Sequence, residues 1–412
     1  KVLGLSFTAF TLAFAVWMMY GVMGIPIRKE LGLSDDQLAW LLAASALGGA
    51  LPRGPIGVLT DKYGGRVVFT ALLLMVVPAA FVVSYAQTYA QLVGLAVWTG
   101  LTGNTFVVGI AWNSAWFPKE RQGFALGFFG AGNIGASVTK FVAPAVLALV
   151  PAGYIAGVVP GGWRLIPILY AVMLLIMGLI LWTQAPTPDR KPAATRNFLE
   201  MHRPLRALNA WRFSYYYNVV FGAYVALSLW LPKYYVDTFR VDLTTAALLT
   251  ASFIFPASLL RPVGGWLSDI WGARRATDTF LLIMIASGIV VSIPGLIRSP
   301  YLFAAIVFIF GCGMGAGKAS VYRYVYDFFP RDVGAVGGLV GQLGAFGGFI
   351  FPPIWAYALQ ATGIPETTWL VLLGVAVSCY GWQLIAGRAE RRSETEARLL
   401  AASPRVSLGG EV

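Results

Sequence analysis

The chain has 412 residues, of which 58% are hydrophobic and only 12% charged, where a soluble protein carries about 25% charged residues. That composition excludes an ordinary water-soluble fold. The net charge of +12 is spread over short segments between apolar stretches, which reads as a membrane topology signal and not as a nucleic-acid surface.

The apolar stretches recur at the length of a spanning helix, roughly 17–25 residues, not as the alternating ten-residue strands of an outer-membrane barrel. In chain order they predict twelve spans, at about 3–26, 38–60, 67–86, 90–116, 122–149, 164–184, 210–235, 243–267, 277–297, 301–327, 334–360 and 367–386. The longest polar stretch, Pro186 to Arg212, separates spans six and seven and holds Arg190, Lys191, Arg196, Arg203, Arg206 and the only histidine, His202. The expected division is a six-helix half over 1–185, a cytoplasmic linker over 186–212, a second six-helix half over 213–387 and a cytoplasmic tail over 388–412. Because the chain starts at Lys1, a few residues are expected to precede it. Its first apolar stretch reads as a retained helix and not a cleaved signal. Cys312 and Cys379 sit alone in apolar stretches, so they argue for neither a metal nor a disulfide framework.

Lys and Arg in short loops set orientation. Lys62, Arg66, Lys119, Arg121, the linker, Arg274, Arg275, Arg331 and the tail from Arg388 fall on one side. Arg28, Lys29, Arg240 and Arg298 fall on the other. The richer side is expected to be cytoplasmic, with both termini inside.

An internal repeat appears at a shift of 208 residues. Residues 53–66 and 261–274 share six identities at equal offsets: Arg53/Arg261, Gly57/Gly265, Leu59/Leu267, Asp61/Asp269, Gly64/Gly272 and Arg66/Arg274. The same shift superposes Pro144 on Pro352 and Phe141 on Phe349. Two related halves are the plan of a secondary transporter, with substrate held between them near the midplane.

All eighteen carboxylates lie in loops, in the tail or at span ends, whereas Arg53, Lys140, Arg261 and Lys318 lie well inside spans. A charge at that depth costs at least about 2.5–3.5 kcal/mol, and four cations without an internal acid make a cavity suited to an anion. Arg53 stands eight residues before Asp61, roughly 12 Å into an apolar layer about 30 Å thick, and Arg261 has the same offset from Asp269. Their guanidinium forks suit a small planar oxyanion; the alternative is that each snorkels or pairs locally. Asn133 is central in span five, where its amide either donates to such an anion or bonds a neighbouring helix. Lys140 follows it by seven residues, two helical turns on. Gly334/Gly338, Gly337/Gly341 and Gly344/Gly348 are small-residue pairs suited to close helix contact. The stretch Gly313 to Ala319 lacks the first glycine and the Ser/Thr of a phosphate loop, which excludes ATP binding there. With no nucleophile–base or metal-ligand set, the chain reads as no enzyme, and no cofactor is implied.

The loop between spans two and three, Gly57-x-Leu59-x-Asp61-Lys62-x-Gly64-x-Arg66, resembles the signature of the major facilitator superfamily. Within it, Gly130 to Pro144 and Gly337 to Phe349 resemble the glycine-rich signatures of the nitrate/nitrite porter (NarK-type) family, over most of residues 5–386. The resemblance implies the major facilitator fold, an all-α membrane protein of twelve helices in two pseudo-symmetric halves, in the inner membrane and acting as a monomer in lipid. It implies that nitrate, with nitrite as a second candidate, is clamped by Arg53 and Arg261, lies beside Asn133, and is sandwiched by Phe106 and Tyr217. From sequence alone each of those two aromatics reads first as a packing residue. Gly341 falls where Asn133 sits in the first half, so close backbone approach to substrate is possible there. Asp61, Arg66, Asp269 and Arg274 are expected to latch the cytoplasmic gate.

Moving an anion inward against an inside-negative potential costs about 2.3 kcal/mol per 100 mV, so uptake needs a co-transported cation or an exchanged anion. No Asp, Glu or His lies in the membrane interior to carry a proton. Lysine protonation also responds to burial and to nearby charge, so Lys140 and Lys318 are candidates for proton coupling. The alternative is that they only raise the positive field. The expectation is proton-coupled nitrate import; nitrate/nitrite exchange and a permease for another small organic anion are the alternatives.

Overall fold

The computed structural model describes residues 1–155, 159–191, 206–329 and 333–402; Arg196, His202, Arg203, Arg331 and residues 403–412 lie outside them. Among the described residues ten helices are long and apolar enough to cross a membrane, and the bent pair Leu243–Leu259 and Arg261–Trp271 makes an eleventh. The predicted second span falls on Asp35–Ala50 and Arg53–Tyr63, each too short to qualify alone. Every predicted span thus meets a helical unit. One two-stranded hairpin, Tyr154–Ile155 against Val159–Pro160, stands between spans five and six.

The repeat read from side chains is also present in the backbone. Spans two and eight both break one residue before their arginine, at Pro52 (φ −86°, ψ 9°) and Leu260 (φ −81°, ψ 2°). A proline stands at each break, Pro52 on it and Pro262 two residues after it; each lacks the N–H that would bond the carbonyl four residues back and crowds that carbonyl. The chain then turns into the next span at Gly64 (φ 89°) and Gly272 (φ 81°), a conformation that glycine alone adopts freely.

Side-chain caps mark one end of the bundle. Ser34 and Thr88 form capping boxes with Gln37 and Gln91, while Asp242 and Ser299 cap the helices that follow them. These four caps open spans two, four, eight and ten, all at the end away from the linker. Each satisfies backbone N–H groups that the helix start leaves free. Across the halves span one packs on span seven, span two on span eleven and span five on span eight. The last two pairings are equivalent under the repeat.

Two boundaries differ from the sequence expectation. Span seven starts at Leu208, inside the stretch read as linker, and it takes Arg212 into the protein at 3% exposure. The Arg212 guanidinium lies over the rings of Phe213, Tyr324 and Phe328, an aromatic shell that accommodates its charge. At the far end the helix of span twelve continues over Thr367–Ala402, so the first part of the expected tail prolongs that span.

Candidate functional site

Each interruption of helical regularity in spans four, five and seven borders the arginines. Span four carries a 3₁₀ segment at Leu101–Asn104, just before Phe106, and span five another at Ala131–Ile134, around Asn133. Span seven has a π segment, Asn218–Gly222, between Tyr217 and Tyr224. Discontinuous helices at the midplane are where transporters of this plan place their sites, and π segments concentrate at functional positions.

Arg53 is 2% exposed and Arg261 7%. Arg53 donates from Nε to the Gly49 carbonyl at 2.7 Å and from Nη1 to the Gly341 carbonyl, across the halves, at 3.0 Å. Both guanidinium groups lie over the same ring: Cζ of Arg53 is 5.8 Å and Cζ of Arg261 5.2 Å from the centre of Phe106. Arg53 also lies over Trp17 at 5.6 Å and Phe221 at 5.3 Å, and Arg261 over Tyr322 at 5.5 Å. Each arginine keeps one buried terminal nitrogen without a hydrogen-bond partner, Nη2 of Arg53 and Nη1 of Arg261.

Asn133 is 1% exposed, and both polar atoms of its amide lack a partner. It lies one turn beyond Gly130, where an added Cβ would meet the Arg261 guanidinium at 3.2 Å. Tyr217 is fully buried and packs its ring on Phe221 and Tyr322, each at 5.1 Å. A Cβ on Gly341 would approach the Tyr322 hydroxyl to 2.9 Å, so a side chain there would push on the ring that lies beneath Arg261. The structure therefore brings Arg53, Arg261, Phe106, Tyr217, Asn133 and Gly341 around one focus. Buried donors with no protein partner are expensive, and here those of two arginines flank one phenylalanine ring.

The two interior lysines separate. Lys318 donates to the Ala257 carbonyl at 2.9 Å and covers the Tyr224 ring at 3.3 Å. It also lies 5.5 Å from the centre of Phe221, the ring that Arg53 shares. Lys140 instead turns to span one, 3.4 Å from the Met18 carbonyl, and an added Cβ on Gly21 would meet its Nζ at 2.8 Å. The partners of all four cations are carbonyl oxygens and rings; among the described residues none pairs with a carboxylate.

Three of the four residues expected at the cytoplasmic gate, Arg66, Asp269 and Arg274, make contacts within their own halves. Arg66 donates to the Trp182 carbonyl and Thr187 hydroxyl, Arg274 to the Gly387 carbonyl, and Asp269 pairs with Arg323 at 2.6 Å. Asp61 is half-buried at the same end. Asp189 accepts from Trp112, Trp116 and the Arg66 backbone, pinning the start of the linker to the first half.

Sequence reasoning missed Trp17, Phe221, Tyr224 and Tyr322 at the site. It also missed a fifth interior cation: Lys233 in span seven is 3% exposed and pairs with Asp35 and Asp237. The lysine's place near the end of a long span and the i,i+4 spacing to Asp237 were the available signals.

The sequence profile of the Major Facilitator Superfamily matches residues 5–400. The chain is 56% identical over 399 residues to the "Probable nitrate/nitrite antiporter NarK1" of Thermus thermophilus, covering 93% of this chain and 90% of that one. It is 29% identical over 378 residues to the "Nitrite extrusion protein" of Bacillus subtilis, covering 92% of each. To the "Probable nitrate transporter NarT" of Staphylococcus aureus it is 29% identical over 371 residues, covering 90% of this chain and 91% of that one. Among solved structures it resembles a bacterial homologue of the human lysosomal transporter Spinster in an inward-facing, occupied conformation, with a TM-score of 0.75 and 17% identity. That match covers 94% of this chain and 96% of the other, and at such identity it shows the fold.

Proposed function

The chain belongs to the Major Facilitator Superfamily and, within it, to the NarK-type porters, and from that premise we propose that it carries nitrate and nitrite across the cell inner membrane by alternating access. The observation that carries this reading is the pair of arginines from the two halves over one phenylalanine ring, each with a buried unpartnered donor. A planar oxyanion between them would accept from both forks and stack on the ring. Because the arginines come from opposite halves, the anion joins the halves at their centre and leaves whichever side opens. One chain holds the whole site, so the monomer is the working unit. Both termini are cytoplasmic in this reading.

The driving force in this reading is proton co-transport through Lys318, with Lys140 as a second proton-carrying position. The support is the contact of Lys318 with Tyr224 and with the ring shared by Arg53, beside two arginines whose described partners include no carboxylate. Exchange of nitrate for nitrite is the second reading, favoured by the name of the 56% identical Thermus protein. The substrate assignment is tested on the purified protein. Nitrate and nitrite should each raise its melting temperature and quench fluorescence of a site tryptophan such as Trp17. No response to either anion would refute the assignment.

A further inference from the structure

We propose that Arg28, Asp35, Lys233 and Asp237 form the latch that closes the substrate path at the end of the bundle away from the linker. This rests on the alternating-access reading above and on its orientation, in which that end is external.

The four charges alternate in sign around a closed ring. Asp237 Oδ2 accepts from Arg28 Nη1 at 2.9 Å and from Lys233 Nζ at 2.7 Å. Asp35 Oδ1 lies 3.0 Å from Arg28 Nη2 and 3.3 Å from Lys233 Nζ. Arg28 and Asp35 belong to the first half, in spans one and two; Lys233 and Asp237 belong to span seven. Two of the four contacts, Arg28–Asp237 and Lys233–Asp35, therefore cross between halves, and two do not. The ring lines a cavity of about 280 Å³ that also includes Arg240 and Tyr234. One helical turn deeper the halves close up further: an added Cβ on Gly21 would meet the Leu229 backbone at 2.9 Å.

This arrangement suits a contact that must break on every cycle. Stripping a largely buried lysine of all its partners would be strongly unfavourable. When the halves part, Arg28 keeps Asp35 and Lys233 keeps Asp237, so each half leaves as a neutral pair. Only the two cross-half contacts are lost, and water enters to replace them.

Two double variants separate a latch from a general need for charge, since each removes one cation and one carboxylate. Arg28→Met with Asp237→Asn leaves the Lys233–Asp35 contact across the halves. Arg28→Met with Asp35→Asn leaves only the Lys233–Asp237 pair within span seven. The reporter is Leu229→Cys in a background with Cys312→Ser and Cys379→Ser, labelled by a membrane-impermeant thiol reagent in oriented vesicles. Labelling from the external side should rise about fivefold or more in the Arg28/Asp35 variant, within the range of coupling energies, and stay near the parent rate in the Arg28/Asp237 variant. Lys233→Met with Asp237→Asn leaves only the Arg28–Asp35 pair within the first half; it supplies a second route to a broken latch if the first variant fails to fold, and it too should label faster. Equal labelling of the Arg28/Asp35 and Arg28/Asp237 variants, or no rise in the Lys233/Asp237 variant, would overturn the latch. The same increase seen only from the linker side would support the latch and overturn the orientation.

Discussion

Arg53 of the first half donates to the backbone carbonyl of Gly341 in the second at 3.0 Å. The bond makes the position of a substrate-facing arginine depend on the other half. A Cβ on Gly341 would meet the Tyr322 hydroxyl at 2.9 Å. Gly341→Ala should therefore shift the Tyr322 ring, over which Arg261 lies, and raise the KM for nitrate about five- to tenfold by misplacing the clamp. Gly374→Ala, where nothing lies within 4 Å of an added Cβ, should transport normally. Initial uptake rates in vesicles check both.

Lysine in place of either arginine keeps the charge and loses the fork. Arg53→Lys and Arg261→Lys should each weaken nitrate binding by about 10- to 100-fold, the range expected for a lost charge-assisted hydrogen bond. Titration calorimetry on the folded variants reads this directly. Affinity unchanged in both would show that charge alone suffices.

Lys318→Gln and Lys140→Gln test the coupling reading. Acid outside should no longer stimulate nitrate uptake in the Lys318 variant, while counterflow of nitrate against nitrate persists. The effect should be smaller for Lys140, whose Nζ faces span one. An unchanged pH profile in both would remove the lysines from proton coupling.

Much of this was legible in the sequence, and the reasons it was are specific. Arg53 and Arg261 stand out because a deep arginine is rare and these two recur at one offset. The break before each was not foreseen, since Pro52 precedes its arginine whereas Pro262 follows. Trp17, Phe221 and Tyr322 were invisible for another reason. In a chain with 14 tryptophans, 26 phenylalanines and 18 tyrosines, nothing local separates an aromatic under a guanidinium from one in lipid. Lys233 escaped notice although Asp237 stands at i,i+4 on its own helix; its other carboxylate, Asp35, comes from the first half, a contact that exists only once the halves are packed. Arg66 and Arg274, read from the loop repeat, also bond to loops of their own halves, contacts that the repeat alone could not indicate.

Asp189 offers a stability test at the linker. Its carboxylate accepts from two tryptophans and the Arg66 backbone; Asp189→Asn keeps the shape and removes the charge. Hydrogen bonds to a charged group contribute about 1.5–3 kcal/mol, so the variant should melt several degrees lower and shift its tryptophan emission. Thermal denaturation followed by fluorescence measures both.

Nitrate uptake into proteoliposomes, with a pH gradient imposed and nitrite either absent or enclosed, tests the transport account most directly. Proton-coupled import predicts accumulation in nitrite-free vesicles when the outside is acid, collapsing when the gradient is dissipated. Uptake that appears only with nitrite inside, whatever the gradient, would contradict it.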